Sequence, residues 1–90
     1  MLKISEIQPS NHAVTLRLEG RVVGPWVAEL RDSCEKLLAE GRVLNLRLSE
    51  VEFLDPSGIN LLISLRERNV RLVDCSPFVD VQLKSAVDSS

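Results

Sequence analysis

The sequence predicts an α/β domain built on a mixed, mostly parallel sheet of four to five strands, with helices mainly on one face. Three observations carry this. Apolar and polar residues alternate in several short runs, as they do in half-buried strands. Apolar residues at helical spacing follow Pro25, Pro56 and Pro77. The two patterns also take turns along the chain instead of being segregated. Ninety residues at 44% hydrophobic suffice for one core and not for two, so 1–90 is read as a single domain with no room for a separate catalytic one.

In the first run, Leu2, Ile4 and Ile7 are set off by Lys3 and Ser5. Pro9, Ser10, Asn11 and His12 supply turn chemistry, and Val14, Leu16 and Leu18 then alternate with Thr15 and Arg17. An antiparallel hairpin with one buried face is expected. Glu19 to Gly24 interrupts the alternation, and Pro25 opens a helix whose stripe is Val27, Leu30, Cys34, Leu37 and Leu38. Gly41 ends it. Trp26, at the helix entrance, is suited either to covering the end of the core or to anchoring a partner.

Leu44, Leu46 and Leu48 alternate with Asn45 and Arg47 in the next strand. A helix separates it from the strand before, so the two should be parallel, with a right-handed crossover. After Ser49 and Glu50, residues Val51 to Leu54 read as a separate short strand, followed by a helix from about Pro56 to Arg66. Val70, Leu72 and Val73 make the last strand, which Cys75 ends. Ser76 and Pro77 start a final helix with Phe78, Val81, Leu83 and Val87 apolar. The polar alternate faces of the strands imply that helices cover one side of the sheet. The second helix is apolar nearly all round, at Ile59, Leu61, Leu62, Ile63 and Leu65. Either its neighbours bury that surface or part of it docks a partner.

A formal charge of −2, from 11 basic and 13 acidic residues spread along the chain, leaves no basic stretch of the kind that nucleic acid or anionic lipid requires. Aromatic content of 3% without tyrosine weakens any base-stacking role. No apolar run approaches the length of a membrane span, and Met1 to Glu6 lacks the apolar core of an export signal. A cytoplasmic protein without direct membrane insertion is expected. Cys34 and Cys75 lack metal-ligand or dithiol spacing and are expected to be reduced, so neither metal nor cofactor is predicted. His12 is the lone histidine, and a Ser-His-acid triad would have to recruit it from a hairpin turn. No catalytic residue is assigned and no enzyme activity is expected.

The most informative stretch runs from Glu52 to Leu62, where a strand passes through a polar turn into a helix. Asp55 is placed to cap that helix, Pro56 suits its first position, and Ser57 follows in the first turn. A hydroxyl at the positive end of a helix is well placed to carry a phosphate. The same residues also make sense as plain helix capping.

The run Leu46-Arg47-Leu48-Ser49-Glu50-Val51-Glu52-Phe53-Leu54-Asp55-Pro56-Ser57-Gly58-Ile59 closely resembles the STAS domain, with Leu16 to Gly20 before it and Val70 to Val73 after it. That family is shared by bacterial anti-sigma-factor antagonists and the cytosolic ends of sulfate transporters. Its signature places Asp-Ser-Ser/Thr-Gly at the opening of a helix. Asp55, Ser57 and Gly58 match, and Pro56 replaces the first serine.

In the antagonist branch a partner kinase phosphorylates the serine before the glycine and so switches binding off. The resemblance carries that role to Ser57. It implies a non-enzymatic regulatory domain that binds an anti-sigma factor, a serine kinase of the GHKL ATPase type. Docking would use Asp55, Pro56, Ser57, Gly58, Ile59 and Leu62, together with Gly20, Val23 and Trp26 from the loop before the first helix. The alternative it implies is a subunit like the STAS component of phospholipid ABC transporters, bracing an ATPase without phosphorylation. Besides Pro56, the chain has Val23 where antagonists commonly carry an acid and Arg47 where they often carry Asp. The segment from Gly58 to Val70 is shorter than usual by roughly two helical turns. These departures describe a divergent, compact branch.

Overall fold

The computed structural model describes residues 2–8, 10 and 12–88, the last three by backbone alone. Seven elements follow in order: β1 (Leu2–Ile7), β2 (Ala13–Val22), α1 (Pro25–Ala39), β3 (Val43–Leu54), α2 (Pro56–Glu67), β4 (Arg71–Val73) and α3 (Pro77–Asp88). The strands form one sheet in the order β1-β2-β3-β4. β1 is antiparallel to β2, while β2, β3 and β4 are mutually parallel, as expected of strands joined through helices.

One face of the sheet is apolar. Val14, Leu16, Leu18 and Val22 of β2 and Leu44, Leu46 and Leu48 of β3 are buried against Leu30, Leu62 and Leu65 of the helices. A fully buried leucine contributes roughly 1.5–3 kcal/mol relative to an exposed one, so these side chains supply the main driving force for the fold. The alternate residues, such as Thr15, Arg17, Asn45 and Arg47, are half-buried or exposed, and among the described residues the helices cover only the apolar side.

Val51 to Leu54 is not a separate strand. β3 runs unbroken from Val43 to Leu54, which makes the sheet four-stranded. The inward residues are spaced by two up to Leu48 and by three at Val51 and Leu54. Two register shifts absorb the difference. Arg17 pairs with Arg47 but Glu19 with Glu50, and Gly20 pairs with Val51 but Arg21 with Phe53. Each bulge takes up one extra β3 residue and returns the next apolar side chain to the core. Phe53 falls on the outward phase and is 48% exposed.

Gly41 takes the left-handed conformation (φ 76°) that ends α1, and its N–H donates to the Leu38 carbonyl at 3.0 Å. Cys75 lies beyond β4 and is half-buried, so it does not end that strand. The surplus apolar surface of α2 is mostly used internally. Leu61, Leu62 and Leu65 are buried, and Ile59 and Ile63 are half-buried, because α2 packs on β3 and on both other helices. The side chain of Val87 lies outside the described residues.

Candidate functional site

Because β2 and β3 are parallel, they end at the same edge of the sheet, where Val22 stands beside Leu54. Both α1 and α2 begin there. After β2 the chain turns at Gly24, whose φ of 53° is a left-handed value that favours glycine. After β3 it turns at Asp55, which keeps an extended backbone (φ −83°, ψ 172°) as an N-cap residue does.

The Asp55 carboxylate joins the two helix starts. Its Oδ1 accepts the Gly58 N–H at 2.7 Å and its Oδ2 accepts the Gly24 N–H at 2.9 Å. The Asp55 N–H in turn donates to the Val22 carbonyl at 3.2 Å. One side chain therefore caps α2 and also holds the entry of α1, through bonds to a charged acceptor, the stronger class. Gly58 completes the contact. A Cβ there would lie 2.6 Å from the Val22 carbonyl oxygen and 3.1 Å from Val22 Cγ1, so the first turn of α2 rests directly on the end of β2.

Pro56 and Ser57 stand exposed on the outer side of this turn. Among the described residues none hydrogen-bonds the Ser57 hydroxyl. Pro56 has no N–H, Gly58 is capped, and the Ile59 N–H donates to the Asp55 carbonyl at 3.0 Å. That leaves the Ser57 N–H as the donor of the turn for which the described residues offer no partner. Beside it, Val23 is half-buried, and its carbonyl accepts the Trp26 N–H at 3.1 Å. Trp26 is half-buried and packs against the core while part of the residue stays exposed.

The other expected contact residues are placed less evenly. Ile59 is half-buried at the margin of the turn. Gly20 is half-buried within β2, between Leu2 and Val51. Leu62 is 0% exposed: it faces the core one turn into α2, so it supports the turn from beneath and offers no surface to a partner. Arg47 lies on the open face of the sheet, ion-paired with Asp74 at 2.9 Å, and is not part of the turn. Gly24 lies within the Gly20 to Trp26 loop expected to contribute to docking, but its bond to Asp55 was not foreseen. Its signal in the sequence is a glycine directly before the proline that opens a helix.

Burial pushes the Cys34 thiol up to about 12, with Glu35 adding to the effect and Arg68 opposing it. Burial is also the main reason that the Cys75 thiol is raised, followed by Asp80. Neither position favours a thiolate near neutral pH. No group of three or more metal-ligating side chains converges among the described residues. No helix among them is long and apolar enough to cross a membrane.

A family model described as "Mlab, STAS domain" matches residues 5–83. Among solved structures, the chain is similar to the anti-sigma factor antagonist SpoIIAA in its unphosphorylated form. The TM-score is 0.73 at 18% identity, over 93% of this chain and 80% of that one. At that identity the likeness speaks for the fold. No curated protein sequence matches the chain.

Proposed function

This chain belongs to the STAS domain family, and on that premise we propose that it is a regulatory, non-enzymatic protein-interaction domain of the anti-sigma-antagonist kind, docking through the Asp55 turn. The observation that carries this reading is the Asp55 carboxylate bridging Gly24 and Gly58, which presents Pro56, Ser57, Val23 and the exposed part of Trp26 on one rigid rim. A rim held by the fold itself loses little freedom when a partner covers it, which favours association. The partner in this reading is a cytoplasmic anti-sigma factor of the GHKL serine-kinase type, and Ser57 is the residue it phosphorylates. Ser57 is exposed and unbonded, so a phosphate would add close to two negative charges to the rim without displacing any buried group.

Incubation with the cognate kinase and ATP tests this directly. Label should appear on Ser57, and Ser57→Asp should lose partner binding while unfolding as cooperatively as the parent. Label elsewhere, or unchanged binding by the Asp variant, overturns the proposal.

A second reading, a subunit bracing the ATPase of a phospholipid-transport ABC transporter, is favoured by a different feature of the same turn. Asp55 already engages both of its oxygens with backbone donors, and Pro56 removes one further N–H, so the turn keeps only the Ser57 N–H to offer a phosphate. Under this reading a transporter ATPase co-purifies from native membranes and Ser57→Ala is silent. Failure to recover an ATPase rejects it.

A further inference from the structure

Among the described residues no helix covers the outer face of the sheet, and its register sets which charges meet there. Arg17 of β2 stands directly beside Arg47 of β3, and Arg71 of β4 lies beside Asn45, one row away. Three adjacent strands, spaced about 4.8 Å apart, thus each contribute one guanidinium to a single patch. Beyond the first bulge, Glu19 stands beside Glu50. Like charges directly opposite one another weaken a sheet, and a face that only had to be solvated would gain by alternating them. Between β2 and β3 they are banded, arginine beside arginine and glutamate beside glutamate, while on its other side Glu19 faces Lys3 of β1, whose Nζ lies 4.0 Å from Glu19 Oε2.

Part of the band is answered from within. Arg17 Nε lies 3.0 Å from Glu19 Oε1, and Arg47 Nε lies 2.9 Å from Asp74 Oδ2. The Arg47 and Asp74 side chains are 46% and 56% exposed, so water screens that pair and a competing carboxylate can replace it. Arg71 has no ion pair among the described residues, nor has Arg21, which stands beside the exposed Phe53. The patch persists in a chain whose net charge is −2, so it is a local feature and not a reflection of overall charge.

We propose that the Arg17, Arg47 and Arg71 patch on the open sheet face is a second docking surface, which takes an acidic segment of a protein partner. Guanidinium forks match carboxylates in pairs, and Arg clusters are a recurring means of reading acidic motifs. A bound segment can set its carboxylates over the arginines and leave the neighbouring glutamates alone. An anionic bilayer cannot be so selective, because Glu19, Glu50 and Asp74 would also meet its headgroups. Single-stranded nucleic acid needs several stacking platforms, and this face offers only Phe53 among its described residues.

The test is an NMR titration of the whole chain with a short poly-glutamate peptide at low salt. Amide shifts should centre on β2, β3 and β4 around the three arginines and shrink as salt is raised. Arg47→Glu should weaken binding by about tenfold or more, and Arg47→Gln by less. Lys84→Glu, which changes net charge by the same amount on α3, should alter binding by less than about twofold. The proposal is overturned by shifts scattered over the surface, by equal losses in the Arg47→Glu and Lys84→Glu variants, or by tighter binding to phosphatidylglycerol vesicles or oligothymidylate than to the peptide.

Discussion

The first turn of α2 touches the backbone at the end of β2, so that a Cβ on Gly58 would lie 2.6 Å from the carbonyl oxygen of Val22. The obstructing atom belongs to a central strand paired on both sides, and it cannot swing away as the end of a flexible side chain would. Gly58→Ala must therefore push α2 outward or distort the cap that holds it. The expected cost is about 1–3 kcal/mol, the usual range for overpacking. Urea unfolding should show a lower midpoint with an unchanged slope. An unchanged midpoint would mean that the contact relaxes freely and does not position the turn.

Asp55 makes two bonds of different reach, and two substitutions separate them. Asp55→Ala abandons both the Gly58 and the Gly24 N–H groups. Losing the cap alone is expected to cost about 1–2 kcal/mol. Asp55→Asn keeps one carbonyl oxygen for Gly58 but turns an NH₂ toward Gly24, where a second donor gives no bond. Its loss of stability should fall between parent and Ala. Amide exchange should quicken at Gly24 in both variants and at Gly58 only in Asp55→Ala. Equal exchange at Gly58 in both would show that the cap depends on the charge and not on the acceptor atom.

These two bonds also mark what a sequence can disclose. The cap on Gly58 spans three positions and follows from local rules for a helix opened by Asp-Pro, whereas the bond to Gly24 spans 31 positions and exists only because parallel strands bring two helix starts to one edge. β3 was half legible for a similar reason. Leu44, Leu46 and Leu48 announce a strand, but the step of three to Val51 and again to Leu54 looks like a break, because a bulge is a property of pairing with β2. The same bulges turned Phe53 outward and left it exposed. Leu62 reads as surface or core with equal ease until three neighbouring elements close over it. Arg17, Arg47 and Arg71 are scattered along the chain, so the sequence shows no basic stretch although the sheet gathers them.

Ser57 lies on the exposed side of the turn, and the fold should tolerate a charge there. An acidic side chain near a helix N-terminus is favourable by about 0.3–1 kcal/mol, and the neighbouring Asp55 carboxylate opposes it. Ser57→Asp should therefore change stability by less than about 0.5 kcal/mol, as exposed substitutions usually do. Thermal unfolding checks this. A loss above about 1 kcal/mol would mean that the hydroxyl is structural, and binding defects of the Asp variant would then not report on a switch.

Cys34 should make the domain alkali-sensitive. The side chain is 0% exposed on the inner face of α1, and burial raises its thiol from the ordinary 9.0 to about 12. Below pH 9 the thiol is neutral in both folded and unfolded chains, and its contribution to stability is fully present. Between pH 9 and 12 the unfolded chain has released the proton and the folded chain still holds it, so rising pH draws the equilibrium toward the unfolded state. The limiting slope for one group is about 1.4 kcal/mol per pH unit. Urea midpoints measured from pH 8 upward should fall across that window, and Cys34→Ala, although less stable at pH 8 for want of the buried sulfur, should fall less steeply. At pH 8 iodoacetamide should leave Cys34 unmodified in the folded chain and alkylate it once the chain unfolds. Parallel pH curves for parent and Ala variant would show that groups other than this thiol set the alkaline limit.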